Sequence, residues 1–188
     1  MNRRAGGHAG PNSAEQLVDE LGDLGVPLVC AGGIGDAAGF VAALRMGYAG
    51  VQLGTRFIAT TECTAHPDYK RAIVEAGEDD IVLTERVTGV PLAVIRTPHV
   101  EQVGTKAGPI ARWLLRHRRT KHFMRTVYAL NSAWRLKRGH FAGPTSRDYW
   151  QAGKSVSGIT SIEPTGEIVR QFAATARAAS SGPAPAAR

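Results

Sequence analysis

The sequence of 188 residues has little of what marks membrane proteins, secreted proteins or metal centres. Its two cysteines, Cys30 and Cys63, are not spaced like a metal or redox motif. Reduced thiols of this kind are typical of a cytoplasmic protein. No apolar run approaches the roughly eighteen residues of a membrane span, and Met1 to Arg4 lead into glycine instead of an apolar signal core. We therefore expect a soluble, cytoplasmic protein without a membrane partner or a bound metal.

Acidic residues are absent from Gln102 to Arg147, and this absence produces the formal net charge of +7. Eleven lysines and arginines fall in this segment: Lys106, Arg112, Arg116, Arg118, Arg119, Lys121, Arg125, Arg135, Lys137, Arg138 and Arg147. Clustered basic residues with aromatic neighbours are one signature of nucleic-acid binding. We favour instead a basic helical cap that covers part of the domain or meets an anionic, cofactor-bearing substrate. Nucleic acid is therefore not the expected partner.

The first sixty residues alternate between helical and strand patterns. A helix is predicted over 14–24, and its apolar face consists of Leu17, Val18, Leu21 and Leu24. Short apolar runs at 26–31 and 50–54 predict two strands buried on both faces, with a helix over 37–46 between them. Strand, helix and strand at this spacing form a βαβ unit, whose strands are parallel. The predicted fold class is therefore α/β.

Both predicted strands end in glycine, at Gly32-Gly33 and at Gly54-Thr55. Ligands of parallel α/β folds bind beyond the carboxyl ends of the strands. Backbone N–H groups of the two glycine turns can converge there on an anion, and the helix that begins near Asp36 adds a favourable dipole. The stretch 33–39 is not a dinucleotide fingerprint, because its glycine spacing is wrong and no acidic residue ends the following strand. We expect a phosphate site and not a Rossmann nicotinamide site.

A histidine stands between glycines near the start of the chain, in Ala5-Gly6-Gly7-His8-Ala9-Gly10. Glycines permit positive φ angles and close approach of the backbone to a ligand, so the pattern suggests that His8 is held toward a bound molecule. Imidazole can take a proton near neutral pH. His8 is therefore the candidate catalytic base, and the alternative is a solvated histidine without a role.

Four stretches resemble, in order and spacing, the nitronate monooxygenase family, formerly called 2-nitropropane dioxygenases. They are Ala5-Gly6-Gly7-His8-Ala9-Gly10, Ala31-Gly32-Gly33-Ile34, Gln52-Leu53-Gly54-Thr55-Arg56-Phe57 and Ala65-His66-Pro67-Asp68-Tyr69-Lys70. The resemblance implies an FMN-dependent (β/α)₈ TIM barrel. The same motifs are similar to those of the flavin-dependent enoyl-acyl-carrier-protein reductases, which share that fold.

The resemblance implies a role for each matched residue. His8 corresponds to the catalytic base, and Gly6 and Gly33 correspond to backbone contacts with the flavin. The segment that grips the FMN phosphate corresponds to Gln52, Leu53, Gly54 and Thr55. In the family, a nitroalkane loses a proton, the resulting nitronate gives electrons to FMN, and oxygen completes conversion to a carbonyl compound and nitrite. The expected partners are therefore a nitronate or nitroalkane and oxygen.

Two other functions stay open. An enoyl-acyl-carrier-protein reductase would take electrons from a nicotinamide and reduce a carbon–carbon double bond, with His8 polarising or protonating the substrate. An inactive remnant or binding module would hold no flavin and would attach to an anionic partner through its basic segment. Nitronate oxidation ranks first because Thr88-Gly89-Val90-Pro91 and Val94-Ile95-Arg96-Thr97 look closer to the monooxygenase branch.

The resemblance divides the chain into four parts. Residues 1–100 would form the last strands of an FMN-binding barrel, 101–147 a basic helical insertion or cap, 148–172 a C-terminal segment packed on the barrel, and 173–188 a disordered tail. An eight-stranded barrel cannot close with only its last two or three strands. The chain is therefore expected to be a C-terminal, truncated portion that completes its open sheet with a partner chain, a second copy among the candidates.

Overall fold

The computed structural model describes residues 12–86, 91–106 and 149–181. Its elements are, in chain order, α1 (Ala14–Leu21), β1 (Val29–Ala31), α2 (Ala37–Arg45), β2 (Gly50–Gln52), α3 (Thr55–Ile58), α4 (Pro67–Glu75), β3 (Ile81–Thr84), β4 (Leu92–Ile95), α5 (Pro98–Val103) and α6 (Thr165–Ser180). Short 3₁₀ turns cover Gly22–Leu24, Glu78–Asp80 and Lys154–Gly158. This is an α/β structure. The predicted helical cap lies outside the described residues, apart from its first residues, and so do Gly6 and His8.

The predicted βαβ unit is confirmed by β1, α2 and β2. The two strands pair in parallel, from Val29 opposite Gly50 to Ala31 opposite Gln52. The intervening helix begins at Ala37 because the Asp36 carboxylate accepts a hydrogen bond from the N–H of Gly39 at 2.7 Å, which caps its first turn. Both strands are shorter than their apolar runs, because β1 begins only at Val29 and β2 ends already at Gln52.

The prediction that both strands are buried on both faces is wrong, since 58 % of Val29 in β1 is exposed and no residue of β2 is buried. Within the described ranges, β2 is the only strand that pairs with β1, so one edge of β1 has no neighbour there. The apolar face predicted for the first helix is also wrong at its end. The helix ends at Leu21, the chain turns with Gly25 at φ 68°, and 63 % of Leu24 is exposed. The core beside β1 is built instead from residues such as Ala14 and Tyr48, whose hydroxyl donates to the Ala14 carbonyl at 2.8 Å.

An antiparallel hairpin follows α4, and the sequence patterns did not predict it. Strand β3 pairs with β4 from Ile81 opposite Ile95 to Thr84 opposite Leu92. All four residues of β4 are buried. The N–H of Ile95 also donates to the carbonyl of Trp150 at 2.9 Å, which joins the hairpin to the C-terminal part of the chain.

The last helix, α6, continues to Ser180, so the prediction of a disordered tail from Ala173 is wrong for the residues through Ser180. The small residues that suggested disorder are mostly alanine, the residue with the highest helix propensity. Helix α6 packs on α2, where the ring of Phe172 stacks on Phe40 with centroids 5.6 Å apart. Neither α6 nor any other helix in the described ranges is long and apolar enough to cross a membrane.

Candidate functional site

The carboxyl ends of β1 and β2 lie side by side at one edge of the parallel pair. Because Ala31 is opposite Gln52, the chain leaves the sheet at the same level on its way to the Gly32-Gly33 turn and to the Gly54-Thr55 turn. In parallel α/β structures this edge is where ligands bind. The structure therefore brings together five predicted site residues, namely Gly33, Gln52, Leu53, Gly54 and Thr55.

The turn after β1 has a backbone conformation that residues other than glycine rarely adopt. Gly32 has φ 87° and Gly33 has φ 72°, both in the left-handed region. A turn of this kind can direct successive backbone N–H groups to one side, and such a concavity favours an anion. The glycines are therefore required by the shape of the turn, whichever ligand it meets.

The turn after β2 is open to solvent. Gly54 is exposed, and no heavy atom of the described residues lies within 4 Å of the position that a Cβ would occupy there. The N–H groups at the start of a helical turn have no partner within it, so those of Gly54 and Thr55 can serve a ligand. The Gln52 side chain is exposed at this edge, whereas Leu53 packs into the core beside β1 and offers only its backbone.

The start of α2 contributes less to an anion site than its dipole suggests. The Asp36 carboxylate sits at the helix N-terminus, and its negative charge opposes a phosphate there. Gly35 is buried, and a Cβ at this position would lie 2.0 Å from the carbonyl oxygen of Ser155. Gly35 is therefore needed for packing between the loop after β1 and the Lys154–Gly158 turn. The glycine turns, and not the start of α2, are the better candidate donors.

A sequence model of the nitronate monooxygenase family matches residues 3–174. The chain belongs to the nitronate monooxygenase family. The resemblance drawn from the glycine, histidine and Gln52 motifs is therefore confirmed, and the matched range includes all of these motifs.

The relatives of this chain carry names that describe different reactions. The chain is 32 % identical over 189 residues to the (3aS,4S,5R,7aS)-5-hydroxy-7a-methyl-1-oxo-octahydro-1H-indene-4-carboxyl-CoA dehydrogenase of Mycobacterium tuberculosis, covering 85 % of this chain and 53 % of the relative. It is 41 % identical over 95 residues to a probable nitronate monooxygenase of Bacillus subtilis, covering 45 % of this chain and 27 % of the relative. The chain thus spans about half the length of the first relative and less of the second.

Solved structures of similar fold agree with the family. FabK from Thermotoga maritima has a TM-score of 0.72 and 28 % identity, covering 94 % of this chain and 52 % of that one. A nitroalkane oxidase from Streptomyces ansochromogenes has a TM-score of 0.61 and 24 % identity, covering 89 % and 44 %, which supports the fold alone. The fold of this chain therefore corresponds to about half the length of each of these two solved structures.

The family motif at Ala65 to Lys70 has a structural role here. Tyr69 is buried and its hydroxyl donates to the carbonyl of Gln151, while its ring stacks on Trp150 with centroids 5.9 Å apart. Burial raises the pKa of the Tyr69 hydroxyl far above its ordinary value, so it stays protonated as a donor. The Lys70 ammonium donates to the carbonyl of Thr60 at 2.6 Å. Both side chains hold the core together, and neither reaches the glycine turns through these contacts.

Sequence reasoning missed an ion pair next to the second glycine turn, between the buried Arg56 and the half-buried Glu163. Arg56 is only 4 % exposed, and its Nη2 donates to Oε1 of Glu163 at 2.7 Å. The two residues are 107 positions apart, so no local pattern connects them. The one available signal was an arginine in an apolar turn, between Leu53 and Ile58.

The lowered pKa of Glu163 makes the stability of the fold depend on pH. Hydrogen bonds from Ser161, Gln171 and Arg56 lower its pKa below the ordinary value of 4.5, although burial opposes the shift. A carboxyl of this kind stabilises the fold above its ordinary pKa, and that contribution is lost as the pH falls through the lower folded-state value. Replacing Glu163 by glutamine is therefore expected to cost stability at neutral pH and progressively less below about pH 4.5.

Urea unfolding at neutral and acidic pH measures the difference in unfolding free energy between the wild type and Glu163→Gln, which should shrink as the pH falls. The control is Glu167→Gln, which removes the carboxylate that faces Arg170 on the exposed side of α6. An exposed pair contributes little, so the control should lie near the wild type throughout. A gap between wild type and Glu163→Gln that stayed constant into strong acid would contradict the role given to this carboxylate.

Proposed function

We propose that the chain is the flavin-phosphate-binding part of an oxidoreductase that converts alkyl nitronates or nitroalkanes to carbonyl compounds and nitrite with oxygen. FMN is the proposed cofactor, and the C-terminal part of a (β/α)₈ barrel is the proposed setting. The observation that carries the proposal is the meeting of two glycine turns, Gly32-Gly33 and Gly54-Thr55, at the carboxyl edge of a parallel strand pair. Membership of the nitronate monooxygenase family supports the reaction class.

The residues at this edge fit a phosphate-bearing cofactor. Gly33, Gly54 and Thr55 would hold the phosphate through backbone N–H groups, and within the described part of the chain no atom fills the space beside Gly54. The Thr55 hydroxyl oxygen accepts a hydrogen bond from the N–H of Gly153 at 3.3 Å, which leaves its proton to donate to a phosphate oxygen. When bound, the flavin supplies the electron transfer, and the chain's own residues bind and orient it. Gly6 is proposed as a further backbone contact with the flavin.

His8 is proposed as the group that moves the proton. An imidazole nitrogen would take the acidic hydrogen from the carbon beside the nitro group, leaving the nitronate as the electron donor. Neutral imidazole is available for this step near neutral pH, since its unperturbed pKa is about 6.5. The proton then leaves the imidazolium to solvent, which restores the base for the next turnover.

Replacing Gly54 by alanine is expected to weaken FMN binding without disturbing the fold. The Cβ would meet no atom of residues 12–86, 91–106 and 149–181 within 4 Å, and Gly54 has φ −110°, which alanine can adopt. The methyl group would instead occupy the space where the phosphate approaches, and we expect at least about a tenfold loss of affinity. Titration of each variant with FMN, followed by flavin fluorescence, measures the dissociation constant. Gly33→Val is a poorer test, because valine is strained at φ 72°.

The control for Gly54→Ala is Gly50→Ala on the same strand. No described residue comes within 4 Å of the Cβ position of Gly50 either, but Gly50 lies at the other end of β2, away from the proposed phosphate. The control should bind FMN like the wild type. Equal affinities for the two variants would place the phosphate elsewhere.

A second candidate substrate is a coenzyme A thioester. The carboxyl-CoA dehydrogenase relative aligns with 85 % of this chain, whereas the B. subtilis nitronate monooxygenase aligns with 45 %. The longer alignment favours a reaction on an anionic thioester, and a basic segment such as 102–147 would suit the phosphates of that substrate. Both candidates use the same flavin site.

Anaerobic loss of flavin absorbance distinguishes these reactions. The chain loaded with FMN is mixed with an alkyl nitronate, with a saturated acyl-CoA, or with a reduced nicotinamide followed by an enoyl thioester. Bleaching by the nitronate is the expected result. Bleaching by acyl-CoA alone would favour the thioester reaction, and bleaching only by the nicotinamide would favour the enoyl reductase. A chain that retains no FMN would support the non-catalytic alternative.

A further inference from the structure

Arg56 is a buried cation immediately after the second glycine turn. Its Nη1 donates to the carbonyl oxygen of Ser161 and its Nη2 to Oε1 of Glu163, both at 2.7 Å. Burying a guanidinium is costly unless its donors are paired, so these contacts hold Arg56 in one arrangement. The arginine therefore ties the turn at Gly54-Thr55 to a segment about a hundred residues later in the chain.

Glu163 is itself held in place by one residue of its own segment and one of α6. The Ser161 hydroxyl donates to its Oε1, and the Gln171 amide of α6 donates to its Oε2 at 2.9 Å. Both carboxylate oxygens are thus engaged, and the carboxylate presents Oε1 to Arg56 in a fixed position. The pair acts as a joint between α3 and the residues that lead into α6.

Further hydrogen bonds join the same two regions. Thr60 forms a parallel bridge with Glu163, and the N–H of Thr61 donates to the Glu163 carbonyl at 3.2 Å. On the other side of the turn, the N–H of Gly153 donates to Oγ1 of Thr55 at 3.3 Å. We call residues 153–163 the brace, because they contact the turn at Thr55 and at Arg56.

We infer that Arg56 is a positioning residue for the cofactor phosphate, which fixes the Gly54-Thr55 turn against the brace so that its N–H groups point at the phosphate oxygens. The inference rests on the proposed function, since it assumes the phosphate at this turn. Arg56 contacts the brace with its guanidinium and does not bind the phosphate itself. Its effect therefore passes through the backbone of the residues that precede it.

The expected consequence is selective for the phosphate group. Hydrogen bonds to a charged group lose strength quickly when donors are displaced, so loosening the turn should weaken FMN binding about 10- to 100-fold. Riboflavin has the same ring and ribityl chain but no phosphate. Its affinity should therefore change less than about threefold when the turn is loosened. A merely structural role would weaken both ligands alike.

The test compares dissociation constants for FMN and riboflavin in the wild type, Arg56→Lys and Arg170→Lys. Lysine keeps the charge but cannot bond Ser161 and Glu163 with the fork of a guanidinium. Arg170→Lys is the matched control, because Arg170 also pairs with a glutamate, Glu167, on the exposed face of α6. We expect only Arg56→Lys to lose the preference for FMN over riboflavin.

Glu163→Gln is the second variant, in case Arg56→Lys does not fold. It keeps the shape of the side chain and removes the charge. Its preference for FMN over riboflavin should therefore also fall, but by a smaller factor than in Arg56→Lys. The inference is overturned if FMN and riboflavin weaken equally, or if both variants keep the wild-type preference. A wild-type chain with no preference for FMN over riboflavin would instead overturn the phosphate site itself, and the role of Arg56 with it.

Discussion

Replacing His8 by alanine is expected to slow the turnover of a neutral nitroalkane by about 10²- to 10⁴-fold, the usual contribution of a positioned base. Turnover of the preformed nitronate should change little, because that substrate has already lost its proton. The selectivity follows from the one role proposed for the imidazole, which is to take the hydrogen beside the nitro group. Initial rates with the neutral and the anionic form of one nitroalkane measure the ratio.

The control for His8→Ala is a change at another histidine of the family motifs. His66 caps α4 by accepting the N–H of Asp68 at its Nδ1, and asparagine also serves well at a helix N-cap. His66→Asn should therefore leave the ratio of the two rates as in the wild type. Equal losses on both substrates in His8→Ala would show that His8 binds or orients the substrate and is not the base.

Replacing Gly35 by alanine is expected to destabilise the fold by about 2–3 kcal/mol, the scale of overpacking a tight interior. The added Cβ would lie 2.0 Å from the Ser155 carbonyl oxygen and 3.1 Å from the Gly158 Cα. Both are backbone atoms, so no side-chain rotation relieves the contact. The loop after β1 or the Lys154–Gly158 turn would have to move.

Chemical unfolding of Gly35→Ala and Gly22→Ala measures this packing. Gly22 has φ −59° and, among the residues that the structure describes, no neighbour within 4 Å of its Cβ position, so alanine there should be neutral or stabilising by up to about 1 kcal/mol. A Gly35→Ala variant as stable as Gly22→Ala would mean that the loop and the turn are not in contact in solution. The displaced loop also carries Gly33, so we expect FMN binding to weaken in the same variant.

The sequence predicted the part of the fold that depends on neighbours in the chain. Apolar runs and glycine punctuation located β1, α2 and β2, and the spacing alone required the strands to be parallel. The edge that gathers Gly33, Gln52, Gly54 and Thr55 follows from that unit. The roles of these residues and of His8 and Gly6 stay predictions, which the flavin and substrate measurements test.

The predictions that are wrong concern burial and packing between distant segments. An apolar residue in a strand pattern is buried only if another element covers it, and Val29 has no such cover among the described residues. The alanines after Ala173 resembled a disordered tail by composition, but α2 offers α6 a surface to pack on. A pattern in a short window contains neither piece of information.

The sequence by itself determined the βαβ unit, the glycines that end its strands and the family of the chain, because helix caps, periodicity and motif spacing are local properties. Only the tertiary structure decided that Gly35 serves packing, that Arg56 is buried against Glu163, and that the brace meets the Gly54-Thr55 turn. These contacts join residues that are about a hundred positions apart, where burial and desolvation, and not local propensity, select the partner.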